Sequence, residues 1–174
     1  MTDSHFPFKT ALDPIAHKFP LIPRFVFDRL GVLINRDDVR TPMQWDSTNN
    51  AGFSSAPKTW LPAHENYTER NVQKESAETD SLLNTIRALL RVRTQEQALQ
   101  EGSLELLDNL PNGVLGYVRK AANGKVVILL NFDHQEKEFQ FECTECLFNI
   151  SKRDEAKQKA IRLDGLGGMI LRMD

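Results

Sequence analysis

The amino-acid sequence predicts a mixed fold in which an irregular segment and one helix precede a small antiparallel β-sandwich. Three observations lead to this prediction. Seven of the eight prolines of the 174-residue chain lie within residues 1–79. Apolar residues recur at helical spacing over residues 80–102, and short strand-like runs separated by turn residues fill residues 103–174.

Residues 1–79 are predicted to form a long, ordered loop with little regular structure. Proline fixes φ and removes a backbone donor, so long helices and central strands are not expected there. One helical turn is expected after Pro23, with Phe25, Val26, Leu30 and Leu33 on a common face. The segment is rich in aromatic residues, which argues against disorder. Loops of this length commonly form lids or substrate walls.

Residues 80–102 are predicted to form a single helix. Thr79 or Asp80 is a suitable N-cap, and Gly102 can take the positive φ that ends a helix. The apolar residues between them follow the spacing of one helical stripe: Leu82, Leu83, Ile86, Leu89 and Leu90. Because this stripe needs a surface to pack on, we expect residues 1–101 to be partly disordered, self-associated or folded back on the sandwich, with a large exposed apolar patch as the structural sign.

Residues 103–174 are predicted to form seven short strands with tight turns, which is typical of an antiparallel sandwich. The pair Asn123-Gly124 is a strong hairpin signal, because both residues tolerate positive φ. The predicted strands are Leu104–Leu107, Val114–Arg119, Lys125–Asn131, Glu138–Phe141, Leu147–Ile150, Ala160–Leu163 and Gly168–Met173.

Composition and charge narrow the classes of function. A net charge of −2 gives no electrostatic reason to expect nucleic acid or a membrane surface as a partner. Residues 1–10 lack the pattern of a signal peptide, and only two cysteines, Cys143 and Cys146, are present, so we expect a cytoplasmic protein. The CxxC spacing of these cysteines is interpreted as two ordinary thiols. No metal site and no cofactor are expected.

Residues 36–46 read RDDVRTPMQWD and residues 50–54 read NAGFS. This pairing resembles a motif of oligo-1,6-glucosidases, dextran glucosidases and related α-glucosidases, and also of sucrose isomerases and trehalose synthases, all of glycoside hydrolase family 13. The resemblance implies the C-terminal remnant of a (β/α)8 barrel. Residues 1–79 are then the long loop after the eighth barrel strand, residues 80–102 the last barrel helix, and residues 103–174 the C-terminal sandwich.

The same resemblance suggests roles for single residues. Retaining glycosidases use two carboxyl groups, and in this family all the catalytic carboxylates lie earlier than Met1, so no catalytic residue is expected in this chain. Arg40 matches an arginine at the floor of the terminal-glucose pocket that pairs with an aspartate of an early barrel loop. Without that partner we expect Arg40 to be solvated. Weaker candidates for sugar contact are Arg36, Gln44 and Trp45. For Arg36 and Trp45 we favour structural roles, namely an Arg36–Asp37 ion pair and a packing anchor at Trp45.

Three functions remain open from the sequence. The first is part of an α-glucosidase that hydrolyses terminal α-glucosidic bonds of malto- or isomalto-oligosaccharides by a retaining mechanism, with the chain alone inactive. The second is part of a trehalose synthase or sucrose isomerase, which the motif does not separate from the first. The third is a non-catalytic binding or interaction module built on residues 103–174. The partners expected are an α-linked glucooligosaccharide in the intact enzyme and another copy of the chain at the helix face.

Overall fold

The computed structural model describes residues 4–157 and 159–173, which form two compact units that divide between Ser81 and Leu82. The helices and strands are α1 Arg24–Arg29, α2 Val72–Ala77, α3 Leu82–Gln95, α4 Gln97–Glu101, β1 Ser103–Leu106, β2 Val114–Ala121, β3 Gly124–Asn131, β4 Lys137–Gln140, β5 Glu145–Asn149, β6 Glu155–Lys157, β7 Ala160–Leu163 and β8 Gly168–Met173.

The first unit is built mainly from loops and single turns of 3-10 helix, as the prolines predict. Its small core is aromatic, with the ring of Phe27 packed edge-on against Phe8 at 5.5 Å and tilted against Phe19 at 5.7 Å between centroids. The helical turn expected after Pro23 is α1. It ends at Arg29, before Leu30 and Leu33, so the expected common face does not extend along one helix, and Phe25, Leu30 and Leu33 are exposed. The 3-10 turns are Phe8–Thr10, Ala16–Lys18, Arg36–Val39, Asn49–Gly52 and Glu65–Thr68.

The predicted single helix is two helices, α3 and α4, separated at Glu96. Glu96 has extended backbone angles (φ −100°, ψ 106°), and its side chain accepts a hydrogen bond from Arg172 Nη2 of β8 at 2.5 Å. This contact links the residue between α3 and α4 to strand β8, and α4 then lies against the sheet. The helices thus fold back on the sandwich through a second apolar cluster: Leu89, Val92, Ala98, Leu99, Val126, Ile128 and Ile170.

Part of the α3 stripe stays uncovered. Leu82, Ile86 and Leu90 follow one another at a spacing of four residues and are all exposed. Residues four apart lie above one another on a helix, so these three side chains form one exposed apolar row.

The rest of the second unit is the predicted antiparallel β-sandwich. One sheet has the strand order β1-β2-β3-β8-β5 and the other has the order β4-β7-β6. The core between them consists of fully buried side chains: Val127, Leu129, Ile161, Leu163, Met169 and Leu171. In β3 these residues alternate with Val126 and Ile128, which face α4. Burial on both faces therefore explains why residues 126–130 of this strand are all apolar.

The sandwich departs from the prediction in two details. The described residues contain an eighth strand, β6, which pairs with β7. The β2–β3 hairpin pairs Ala121 with Gly124, so its two-residue turn is Ala122-Asn123 and not Asn123-Gly124.

Candidate functional site

The RDDV segment forms a 3-10 turn, Arg36–Val39, that is fixed by the residue before it. The side-chain oxygen of Asn35 accepts a hydrogen bond from the backbone N–H of Asp37 at 3.2 Å, which caps the turn. The Asn35 amide donates to the carbonyl of Phe6 at 3.1 Å. Asp38 accepts from the Phe6 N–H at 2.9 Å and lies 2.7 Å from Arg24 Nη1. These contacts hold the turn against the N-terminal loop.

Asp37 holds a second part of the same loop. Its side chain is fully buried, and its Oδ2 accepts hydrogen bonds from the backbone N–H groups of Leu12 at 2.7 Å and Asp13 at 3.1 Å. Buried backbone donors need such partners, and a carboxylate is a strong one. Asp37 therefore fixes the backbone from which the Asp13 side chain projects.

Asp13 brings two arginines of the motif together. Its buried carboxylate accepts from Arg36 Nε at 2.5 Å and from Arg36 Nη2 at 3.3 Å, a two-pronged pair. Arg40 Nη1 lies 3.7 Å from Asp13 Oδ2. The bond from Arg36, helped by the Ile15 N–H, lowers the pKa of Asp13 to about 2, and the same bond raises the pKa of Arg36 above its ordinary value.

One expectation for the motif is wrong, because Arg36 bonds with Asp13, 23 residues away, and the carboxylate of Asp37 is used by backbone N–H groups. Arg40 is exposed, with 40% of its side chain accessible to solvent, and it also has Asp13 as an ionic neighbour. Asp13 is the residue that sequence reasoning missed.

Gln44 and Trp45 lie at a second junction of the first unit. The Gln44 amide donates to Asn66 Oδ1 at 3.0 Å and to the Arg70 carbonyl at 2.6 Å, while the Gln44 carbonyl accepts from the Val72 N–H at 3.0 Å. Gln44 therefore ties the loop to the start of α2. Trp45 is not the buried anchor that we expected, because it is 49% exposed.

The NAGFS segment forms a strained turn. Asn50, Ala51 and Gly52 all have φ between 53° and 66°, the left-handed region that L-residues with a Cβ rarely occupy. A Cβ on Gly52 would lie 2.5 Å from Asp46 Oδ2, so the carboxylate occupies the space that only glycine leaves. Hydrogen bonds from Thr48 hold this carboxylate and keep the pKa of Asp46 below its ordinary value.

The arrangement favours binding over proton transfer. Arg36 and Arg40 lie on one buried carboxylate, with 43% and 40% of their side chains exposed, so N–H donors face solvent. Asp13 has too low a pKa to donate a proton near neutral pH. Within residues 4–157 and 159–173 there is no group of three or more side chains suited to hold a metal ion. No helix in the same part of the chain is long and apolar enough to cross a membrane.

A concave apolar surface of the second unit is a groove of about 370 Å³ between the helices and the five-stranded sheet. Leu90, Leu99, Tyr117 and Phe148 contribute to its walls. Arg119 also lines it, but its guanidinium donates to the Gly102 carbonyl at 2.8 and 3.1 Å and so caps the end of α4. The two thiols lie elsewhere in this unit, and burial raises the pKa of both Cys143 and Cys146.

Comparison with known proteins supports the class that the motif suggests. Residues 24–102 match the family described as "Alpha amylase, catalytic domain". The structural neighbours are (β/α)8 enzymes of glycoside hydrolase family 13. The structure of isomaltulose synthase from Klebsiella sp. LX3 has a TM-score of 0.71 and 26% identity, covering 87% of this chain and 28% of that one. The chain therefore has the fold of the C-terminal part of such an enzyme, a barrel remnant followed by a sandwich.

Sequence relatives narrow the resemblance to glucosidases. The chain is 36% identical over 117 residues to a glucan 1,6-alpha-glucosidase of Streptococcus pneumoniae serotype 4, covering 67% of this chain and 21% of that protein. It is 38% identical over 133 residues to a salivary alpha-glucosidase of Aedes aegypti, and this match covers 76% of the present chain and 21% of that protein. The chain thus resembles the α-glucosidase type of the α-amylase superfamily and spans about a fifth of the length of these curated relatives.

Proposed function

We propose that this chain forms the C-terminal part of an α-glucosidase that hydrolyses terminal α-glucosidic bonds of malto- or isomalto-oligosaccharides by a retaining mechanism. The RDDVRTPMQWD motif and the glucosidase relatives support this proposal. In this proposal the catalytic carboxylates come from polypeptide outside these 174 residues, as the family resemblance of the RDDVRTPMQWD motif implies. The chain by itself is therefore inactive.

The observation that carries the proposal is the arrangement of Arg40. Its guanidinium lies beside the buried Asp13 carboxylate, while 40% of the side chain is exposed. A planar, permanently charged group held on one side still has N–H donors for sugar hydroxyls or for a second carboxylate. In this proposal Arg40 borders the terminal glucose. The exposed ring of Trp45 is free to stack on a sugar face, whereas Arg36 and Gln44 hold the loop in place.

The proposal also assigns the parts of the chain. Residues 1–79 form the loop beside the sugar, α3 within residues 80–102 is the last barrel helix, and residues 103–174 form the sandwich. The exposed row of Leu82, Ile86 and Leu90 then faces the barrel strands, and in a chain without a barrel it promotes self-association. The free thiols of Cys143 and Cys146 support a cytoplasmic location.

Sucrose isomerisation is the second candidate function. The isomaltulose synthase structure favours it, because that enzyme has the same fold over 87% of this chain. The two candidates share a bound glucose unit and differ in its acceptor, which is water in hydrolysis and fructose in isomerisation. Analysis of the products formed from sucrose by an enzyme that contains this chain separates them.

Hydrolysis of p-nitrophenyl α-glucoside by the purified 174-residue chain, beside its Arg40→Ala variant, tests whether catalytic carboxylates are absent. We expect no turnover above buffer from either protein. Turnover by the chain that is lost in Arg40→Ala would contradict the proposal, because a complete active site would then lie within the chain. Saturable binding of maltose without hydrolysis would favour a binding module.

A further inference from the structure

Two arginines of the motif share one buried carboxylate in an unequal way. The Asp13 side chain has no exposed surface, and Arg36 bonds to both of its oxygens at 2.5 and 3.3 Å. Arg40 has only the longer contact, 3.7 Å from its Nη1 to Asp13 Oδ2. Arg36 uses most of the hydrogen-bonding capacity of the Asp13 carboxylate. Arg40 is therefore held by ionic attraction to Asp13, and its other N–H groups are available to a further partner.

Asp13 is itself fixed from three sides. Its N–H donates to Asp37 at 3.1 Å, and its Oδ1 accepts from the Ile15 N–H at 2.8 Å. Arg36 provides the third constraint. A carboxylate held in this way is a rigid reference point, and a guanidinium beside it loses much of its rotational freedom.

We propose that Asp13 is a positioning residue that holds the Arg40 guanidinium in one orientation. Arg36 occupies both oxygens of the Asp13 carboxylate and so prevents Arg40 from forming a shorter, two-pronged pair with it. The contacts of Asp13 with Arg36 and Arg40 support this orientation. That the orientation directs Arg40 at a sugar rests on the proposed function.

Arginine side-chain NMR on the ¹⁵N-labelled full chain tests this proposal. The readouts are the water-exchange rate of each Nε–H group and its ¹⁵N relaxation, both of which report on single guanidinium groups. In the native chain we expect Arg36 to exchange about tenfold or more slowly than exposed Arg29, the protection that a charge-assisted hydrogen bond provides. Asp13→Asn should abolish this protection and increase the mobility of Arg40.

The Arg36→Gln variant provides the sharper result. It leaves the carboxylate in place and removes its main partner, so Arg40 should move closer through Nη1 and the mobility reported by its ¹⁵N relaxation should fall. This variant decides the matter if Asp13→Asn fails to fold. Asp28→Asn is the matched control, because the Asp28 side chain is 59% exposed in its 3.5 Å pair with Arg24 and its loss should leave Arg36 and Arg40 unchanged.

Unchanged Arg40 mobility in Arg36→Gln, with the backbone amide spectrum intact, would overturn the proposal. The outcome is independent of sugar chemistry. If Arg40 responds as expected but an enzyme carrying this chain cleaves no glucoside, Asp13 still positions Arg40 and the glucosidase proposal fails. If the enzyme is active but Arg40 does not respond, the positioning proposal fails alone.

Discussion

Replacing Asp37 with alanine is expected to release the N-terminal loop of the first unit. The change leaves the N–H groups of Leu12 and Asp13 without the acceptor that they reach at 2.7 and 3.1 Å. Hydrogen bonds to a charged group contribute about 1.5–3 kcal/mol each, so the gross loss is about 3–6 kcal/mol. Asp37 Oδ1 is buried and has no hydrogen-bond partner among the described residues. Relief of this desolvation offsets part of the loss, leaving about 2–4 kcal/mol.

Hydrogen exchange followed by mass spectrometry measures this effect locally, as the free energy of opening of peptides that cover residues 8–20. Asp28→Ala is the matched control. It also removes an aspartate paired with an arginine of this unit, but 59% of its side chain is exposed, so we expect a loss below about 0.5 kcal/mol. Equal protection of residues 8–20 in the two variants would refute the assigned role of Asp37.

Three further predictions follow from single contacts. Gly31→Ala should lower the free energy of unfolding by about 1–2 kcal/mol, because φ at this residue is +65° and open space surrounds it. Gly52→Ala should lower the free energy of unfolding by about 1–3 kcal/mol more than Gly31→Ala does, because the added Cβ meets Asp46. Equal urea midpoints for the two variants would contradict the steric argument. The pKa of Asp13 falls from 3.8 to about 2 on folding, so its stabilising effect is complete above pH 3.8 and is lost as the pH drops toward 2. In an acid titration the difference in free energy of unfolding between the native chain and Asp13→Asn should vanish over that pH range. A difference that stays constant would show that it does not come from the ionisation of Asp13. Leu90→Glu should reduce self-association in sedimentation velocity, and unchanged association would mean that the α3 row is not the contact surface.

The sandwich was predictable because its signals are local. The apolar run of β3 and the turn residues on either side of each strand are properties of neighbouring positions. β6 was missed because a strand of three residues shows no recognisable period. The break between α3 and α4 was missed for the opposite reason. It depends on a contact between Glu96 and Arg172, which lie 76 residues apart in sequence.

The candidate site was predictable only where the motif reaches. Arg40 stands within RDDVRTPMQWD and was found there. Asp13 was not found, because it meets Arg36 across 23 residues of loop that has no periodicity. The expected Arg36–Asp37 pair was wrong because the two side chains, adjacent in a 3-10 turn, contact different groups. Arg36 reaches the side chain of Asp13, and Asp37 reaches backbone N–H groups.

Transfer of the chain into a working enzyme tests the central claim most directly. In this graft the present sequence replaces the aligned region of the Streptococcus pneumoniae glucan 1,6-alpha-glucosidase, with Arg40→Ala and the exposed control Arg29→Ala made in the same graft. We expect the graft to hydrolyse isomaltose and Arg40→Ala to lower kcat/KM by about a hundredfold, the effect of removing one donor from a reacting site, while Arg29→Ala stays near the unchanged graft. A folded, active graft in which Arg40→Ala and Arg29→Ala behave alike would contradict the claim that this chain supplies Arg40 to the glucose pocket.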